Sequence, residues 1–386
     1  MMMFMGLAAI NSQANLLFGV FGLMIGVLVI SGFISRLVLR RLRVRREIPE
    51  AVVVGDVSTI IYEFTNGKRF WPSLSVGLSE LDGVEAFTKQ PSTYLLHAAG
   101  GMTATVPTEV MPKRRGLHKL SRYQISTSFP FGFIKRAIER SEEDTIIVYP
   151  PLAKVDNRVL QMAQSAEKTG STMRPRRGGQ DEFYGVKEFR NGENPRWIYW
   201  KRSARTGVMV SKEMTQVAPP RLLLLVDTFL RDRSEDEHVR VERAIAMAGS
   251  LAAVALEQGI SVGMCARGEG DWVALPPTRG KRHSRDVLTA LARLPLNITH
   301  DTQKLLDESR EIVGQGTTVV LFTPRDMQIG LSERSRGAMM VFSSDPTTGR
   351  SLFRFDPEID FATCMPADQQ PKIDAERAPA SSGVKV

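Results

Sequence analysis

Hydrophobic and polar positions change their period along the chain, and each change marks a different kind of element. Residues 1–35 carry no charged side chain. Within them, residues 16–35 (LLFGVFGLMIGVLVISGFIS) supply the roughly 20 apolar residues that a bilayer core requires. This predicts an N-terminal transmembrane helix in a membrane segment over 1–35. Gly22 and Gly26 have GxxxG spacing, which lets a second helix approach, although glycine is common in such helices. Residues 1–10 are apolar but too short to span alone. No basic leader and no small-residue cleavage site mark a signal peptide.

Residues 36–49 read as a basic juxtamembrane linker. Arg36, Arg40, Arg41, Arg43, Arg45 and Arg46 come directly after the apolar run. Positive flanks stay inside, so the chain is expected at the cell (inner) membrane with its soluble domains cytoplasmic. The same cluster can touch anionic membrane lipid. Over 50–150 the pattern shortens to strand-like runs at 52–54, 58–64, 74–78, 102–106, 116–125 and 145–148. Gly55-Asp56, Asn66-Gly67 and Asp82-Gly83 punctuate them, which predicts a small β-sandwich-like domain. Residues 151–179 form a connector with Pro175 and Gly178-Gly179.

Beyond it the period changes again. Residues 217–365 alternate apolar strand runs (222–226, 260–265, 317–322, 338–342) with helical patterns (239–258, 284–293, 302–313). A further strand at 272–275 is expected to end at Pro276-Pro277. Such alternation predicts an α/β domain with a mostly parallel sheet, so the fold class is multidomain α/β plus all-β. Ligands of such sheets meet the carboxyl ends of strands, where Asp227 stands. Residues 366–386 turn polar and are expected to be a disordered tail.

Composition adds little to this picture. The chain has 386 residues, 42% hydrophobic, with a net charge of +9. That charge favours an anionic surface or partner. Two distant cysteines, Cys265 and Cys364, give neither a disulfide framework nor metal-ligand spacing. No Gly-Lys-Ser/Thr phosphate loop, His-Glu-x-x-His pair or Gly-x-Ser-x-Gly elbow occurs. Cys265 reads as an inert buried thiol, and His283 as a loop residue in a basic cluster.

The densest chemistry lies at 180–216, QDEFYGVKEFRNGENPRWIYWKRSARTGVMVSKEMTQ. Asn191-Gly192 signals a turn. Asn194 and Pro195 suit a helix start and Gly207 its left-handed end. Trp197, Trp200 and Ala204 are spaced to share one helix face, and 208–210 reads as the next strand. Arg196, in the first turn, is disfavoured by the helix dipole, so Glu182, Glu188 or Glu193 is expected to pair with it. The segment is either a structural brace or a Trp- and Arg-bearing surface for a partner protein.

At these residues the chain resembles the domain-of-unknown-function 58 family. Gly192, Arg196, Ile198, Trp200, Lys201, Ser203, Ala204 and Arg205 match its G-D-x-x-R-x-I-x-W-x-x-S-A-R signature, with Asn194 at a place that is often acidic. Glu182, Phe183 and Arg190 belong to the preceding E-F-x-x-x-R-x-Y segment, where Lys187 and Phe189 replace the usual Arg and Tyr. The resemblance implies a bacterial protein with a von Willebrand factor A-like domain at its C-terminal end. Such domains hold a divalent cation on Asp-x-Ser-x-Ser. Here the run is Asp227, Thr228, Phe229, Leu230, Arg231. The motif is degenerate, with only Asp227 and Thr228 left to offer oxygens, and no metal is expected. Members often carry two adjacent membrane helices, and residues 1–11 look like the end of a first one, so a start upstream is expected.

The implied function is a membrane-anchored, non-enzymatic adaptor or assembly factor. It would work with a MoxR-type AAA ATPase, and a transglutaminase-like membrane protein can accompany the pair. No cofactor, no catalytic residue and no nucleic acid are expected. The alternatives are a basic nucleic-acid or anionic-lipid surface binder and a hydrolase with an unrecognised site.

Overall fold

The computed structural model describes residues 4, 6, 15–162, 177–190, 193–215, 221–232, 234–268, 272–296, 302–313, 317–325, 339–345 and 352–366. It divides into two units. One comprises Met1–Leu152, Leu291–Arg293 and Asp356–Val386; the other comprises Ala153–Ala290 and Leu294–Phe355.

The first unit opens with α1 (Asn15–Leu39), a helix long and apolar enough to cross a membrane. Its residues are exposed or half-buried except for Ser31, Ser35, Val38 and Leu39, which are buried. The last carbonyls of a helix lack partners within it. Here Val38 O accepts from Lys68 Nζ at 2.6 Å and from Ser73 Oγ at 2.9 Å. Lys68 Nζ also donates to Ser73 Oγ at 2.7 Å. A cation at this end of a helix is favoured by the macrodipole.

Arg41, at φ 55, turns the chain, and its carbonyl accepts from Gly67 N at 3.0 Å. A Cβ on Gly67 would stand 3.1 Å from that oxygen. From this turn β1 (Leu42–Glu47) starts directly. It pairs antiparallel with β3 (Ser58–Asn66), which pairs with β6 (Thr103–Val110). A second sheet has the order β2-β8-β7-β4-β5, from β2 (Ala51–Val53), β4 (Ser73–Glu80), β5 (Ser92–Ala98), β7 (Gly116–Thr127) and β8 (Arg136–Tyr149). Inward residues of both sheets, among them Ile60, Phe64, Val76, Leu78, Leu120 and Ile125, join one core cluster that also takes in Val38 and Leu39.

That core contains charges. Strand alternation turns Arg46 inward beside Leu42 and Val44. Its Nη1 donates to Glu80 Oε2 at 3.0 Å, and its Nε stands 2.8 Å from Asp144 Oδ2. It also donates to the Glu142 carbonyl and covers the Tyr123 ring at 5.2 Å. Tyr62 Oη donates to Glu80 Oε1 at 3.1 Å. Burial pushes the Glu80 carboxyl above its usual range, against the pull of Arg46 and Tyr62. Burial and then the Glu80 charge push the Tyr62 phenol up as well.

In the second unit, β12 (Arg221–Val226) is central to a sheet of order β14-β13-β12-β15-β16. It lies parallel to β13 (Ser261–Arg267) and β15 (Thr317–Thr323), and β15 lies parallel to β16 (Met339–Ser343). The mostly parallel sheet expected downstream of residue 220 is therefore present. Residues 222–226 are continuously apolar because such a strand is covered on both faces. Helix α3 (Glu235–Glu257) packs across β12, β13 and β15. Ser234 caps it, its Oγ accepting from Glu237 N at 3.3 Å. Leu305 of α5 (Thr302–Ser309) joins Leu223, Leu225, Cys265, Val319 and Leu321 in one cluster. Two short strands, β9 (Lys154–Val155) and β17 (Phe353–Arg354), pair antiparallel.

Several expectations need correction. Residues 36–49 are no linker: the helix runs to Leu39, and β1 takes up 42–47, since Arg46 has a buried partner. Strand β5 was absent from the expected set. Residues 356–365 group with the first unit, not the second. Strand β14 (Trp272–Thr278) runs through Pro276 and Pro277. It does so because it is an antiparallel edge strand, where a missing N–H costs little. Gly263 makes room for it, since a Cβ there would meet Pro277 N at 2.8 Å. His283 lies on α4 (Lys281–Arg293), where its Nε2 is 2.6 Å from Val262 O. The expected tail from 367 onward lies outside the described residues.

The first unit can be tested in two ways. Glu80→Ala leaves Arg46 short of its buried partner and is expected to cost ~3–5 kcal/mol in chemical denaturation. Arg46→Met with Glu80→Leu should recover most of that loss. Burial lowers the Lys68 pKa from 10.5 to about 8. Between these values the unfolded chain binds more protons, so stability should rise with pH from about 8 to 10.5 and stay flat just below. Lys68→Met is expected to flatten that rise in a pH series of denaturation curves.

Candidate functional site

The signature segment is a two-stranded ribbon carrying a folded loop. Strand β10 (Arg177–Glu188) pairs antiparallel with β11 (Val210–Thr215). Lys187 stands opposite Ser211, and Glu188 opposite Val210. Between the strands, Asn194 Oδ1 accepts from Arg196 N at 3.1 Å and starts a single 3-10 turn, Pro195–Trp197. The chain then straightens. Ile198, 6% exposed, is extended and bridges to Ser211, and Tyr199 N donates to Val210 O at 2.7 Å. Only then does α2 (Trp200–Thr206) form, ending on Gly207 at φ 72.

Polar contacts clamp this loop to its strands. Val210 N donates to Ser203 Oγ at 2.9 Å, and Ser203 Oγ donates to Tyr199 O at 3.1 Å. Glu193 accepts from Lys187 Nζ at 2.6 Å and from the buried Ser211 Oγ at 3.0 Å. The Lys187 hydrogen bond is the main reason the Glu193 carboxyl lies below its usual range. Lys212 Nζ stands 5.2 Å from the Tyr199 ring centre.

The outward side of α2 is different. Lys201, Ala204 and Arg205 are exposed, and Trp200 is 65% exposed. Val208 and Met209 beside it are about half exposed. The helix carries three cations and no carboxylate.

The structure thus divides the expected site residues. Ser203 braces the loop, while Trp200, Lys201, Ala204 and Arg205 face solvent. Arg190 and Arg196 are exposed too. Trp197 and Trp200 do not share a helix, because Ile198 interrupts it. Glu193, expected near Arg196, is taken by Lys187 instead. Glu182 and Phe183 pair through β10 with Thr215 and Met214. Gly192 lies outside the described residues. Strand β11 begins at Val210, so 208 and 209 belong to the approach. The roles of Lys187, Tyr199, Ser211 and Lys212 were not anticipated; alternation across the ribbon was the available signal for the Lys187–Ser211 pair.

A second cluster lies at the carboxyl end of β12. Asp227 is 2% exposed. Its Oδ1 accepts from Phe229 N at 3.1 Å, and its Oδ2 accepts from Thr302 Oγ1 at 2.6 Å and Thr323 Oγ1 at 2.9 Å. Arg325 donates to Thr302 Oγ1 at 3.1 Å and to Phe229 O at 3.2 Å, with its guanidinium 4.7 Å from the Phe229 ring centre. Glu237 is within 3.9 Å of Arg325. The Thr228 hydroxyl donates to Arg267 O. A divalent cation requires several free oxygens. Here both carboxylate oxygens take protein donors and a guanidinium sits alongside, so the described residues do not fit one. Among them, no group of three or more His, Cys, Asp or Glu could hold a metal. Cys265 is buried, and burial pushes its thiol up to about 12, far from a reactive thiolate.

Comparison with known proteins agrees with the signature. Residues 185–327 match the family described as "Protein of unknown function DUF58", so this part of the chain is a DUF58 segment. The chain is also similar to the "Uncharacterized protein YeaD" of Bacillus subtilis (strain 168), at 23% identity over 188 residues. That match spans 49% of this chain and 45% of the relative, so less than half of the relative's length is covered.

Asp227→Ala strips three hydrogen bonds and leaves the Thr302 and Thr323 hydroxyls without their acceptor. It is expected to destabilise the second unit by ~3 kcal/mol in denaturation. Titration with magnesium should release no stoichiometric heat from the unaltered protein. A stoichiometric signal lost in the variant would mean that the cation displaces these donors.

Proposed function

We propose that the chain is a membrane-anchored, non-enzymatic adaptor that presents the α2 surface to a partner protein. The observation that carries this reading is the exposure of Trp200 on a short cationic helix that Ser203 ties to Val210 of β11. Exposed Trp and Arg on a rigid support are the residues that dominate protein–protein binding energy. The absence of carboxylates on α2 favours an acidic partner surface. The resemblance supplies the candidate partner, a MoxR-type AAA ATPase, with a transglutaminase-like membrane protein as a further component.

The same reading takes the second unit as von Willebrand factor A-like with its cation motif replaced by the Asp227–Thr302–Thr323–Arg325 network. It takes the two sheets of the first unit as a β-sandwich. It places both units in the cytoplasm, from Arg36, Arg40, Arg41, Arg43 and Arg45 beside the apolar helix; Arg46 is buried and does not count toward that charge.

Pull-down from solubilised membranes, with and without ATP, tests the proposal. An AAA ATPase should be recovered with the unaltered chain. Trp200→Ala and Arg205→Ala should each lower recovery at least tenfold, the size expected of a residue worth about 2 kcal/mol at an interface, while leaving the thermal midpoint unchanged. Unchanged recovery in both variants would remove α2 as the docking surface, and consistent absence of the ATPase would remove the adaptor role.

A further inference from the structure

From the first unit, we infer that one end of its two sheets is a membrane-embedded face, which inserts three loops into the lipid bilayer that α1 spans. The inference rests on reading α1 as a membrane span and adds to it a second, non-helical contact.

Strand register defines the face. Leu42 begins β1 opposite Asn66, which ends β3, and Thr65 stands opposite Thr103, which begins β6. In the other sheet Ser73 pairs with Ala98, Val76 with Thr127, and Thr127 with Arg136. The buried Asn66 joins the two sheet ends, its Nδ2 donating to Ala98 O at 3.0 Å and Trp71 O at 2.9 Å. Loops 67–72, 99–102 and 128–135 therefore lie together where α1 enters the unit. The opposite end, at Val57 and Ser58, is the length of β3 away, about 30 Å at 3.4 Å per residue.

These loops expose large apolar side chains that a water-facing surface would hide. Phe70 is 81% exposed, Trp71 56%, Met102 63%, Phe131 50% and Phe133 70%. The Phe131 and Phe133 rings are 6.4 Å apart. None of the three loops contains Asp or Glu, while Arg69 and Lys135 lie exposed in them and Arg136 comes next; Lys68 is buried and does not count. Apolar and aromatic side chains among cations, without acids, is the composition of an interface with anionic lipid.

Continuity with the helix identifies the occupant as the bilayer. The first charged residue of the chain is Arg36, so Ser35 marks the end of the apolar run. Ser35 Oγ donates to Phe129 O at 2.7 Å. A Cβ on Gly32 would sit 3.9 Å from Ile134 Cδ1, so loop 128–135 runs beside a helical turn that is itself within the apolar run. Lys68 is tied to the Val38 carbonyl at the same end. If residues 16–35 occupy the hydrocarbon, the loops beside residues 32–38 stand at its boundary, where Trp is favoured.

Site-specific fluorescence tests this on the full chain reconstituted in vesicles of equal parts phosphatidylcholine and phosphatidylglycerol. Cys265 and Cys364 are buried, so an environment-sensitive dye can be directed to single added cysteines. Trp71→Cys and Phe133→Cys sample two loops, Val57→Cys the opposite end and Leu23→Cys the helix. The labels at 71 and 133 are expected to be blue-shifted, to lose most of their emission to nitroxide-bearing lipid and to resist aqueous iodide. The label at 57 should behave in the opposite way. If 71 and 133 match 57 while 23 reports lipid, the face lies in water and the inference falls with the anchor intact. If 23 is also open to iodide, the membrane span and the face fall together.

Discussion

The end of α1 has to be closed by something other than water. The last carbonyls of a helix lack partners within it, and here Val38 O meets the Lys68 ammonium and the Ser73 hydroxyl inside a packed core. Val38 and Leu39 belong to the same core as the inward faces of both sheets. Two residues later Arg41 turns and β1 begins. The helix and the first unit are therefore continuous structure, and tilting one tilts the other. The Arg46, Glu80, Tyr62 and Asp144 contacts work in the same direction, since they join β1 and β3 of one sheet to β4 and β8 of the other.

The second unit shows two different uses of hydrogen bonding at chain reversals. At the end of β12, Asp227 draws together α5, the end of β15 and the segment after β12 through donors from Phe229, Thr302 and Thr323. In the ribbon, Ser203 and Glu193 satisfy backbone and hydroxyl groups that would otherwise compete for water. The backbone beneath the exposed row on α2 is held by these bonds.

Legibility in the sequence depended on the range of the interaction. The run 222–226 could be read as a buried parallel strand because every residue in it is apolar. Asn194-Pro195 and Gly207 could be read as loop punctuation because capping is local. Strand β1 could not, since Arg43, Arg45 and Arg46 look like a solvated flank until Glu80, 34 residues on, is known to stand beside Arg46. The break at Ile198 was hidden because helical spacing of Trp197, Trp200 and Ala204 is satisfied by chance, while the pairing of Tyr199 with Val210 is not visible locally. The partners of Asp227 come from 75 and 96 residues away. The short run from Asp227 to Arg231 could not show which distant hydroxyls the carboxylate accepts from.

Strand β14 has a consequence for assembly. This edge strand carries Pro276 and Pro277, which offer no amide protons for pairing. A foreign peptide seeking to lengthen the sheet by main-chain pairing meets a poor template on that flank, so stacking of copies into fibres through it is discouraged. Among the described residues, a complex that borrows a strand from this sheet is left with the β16 flank.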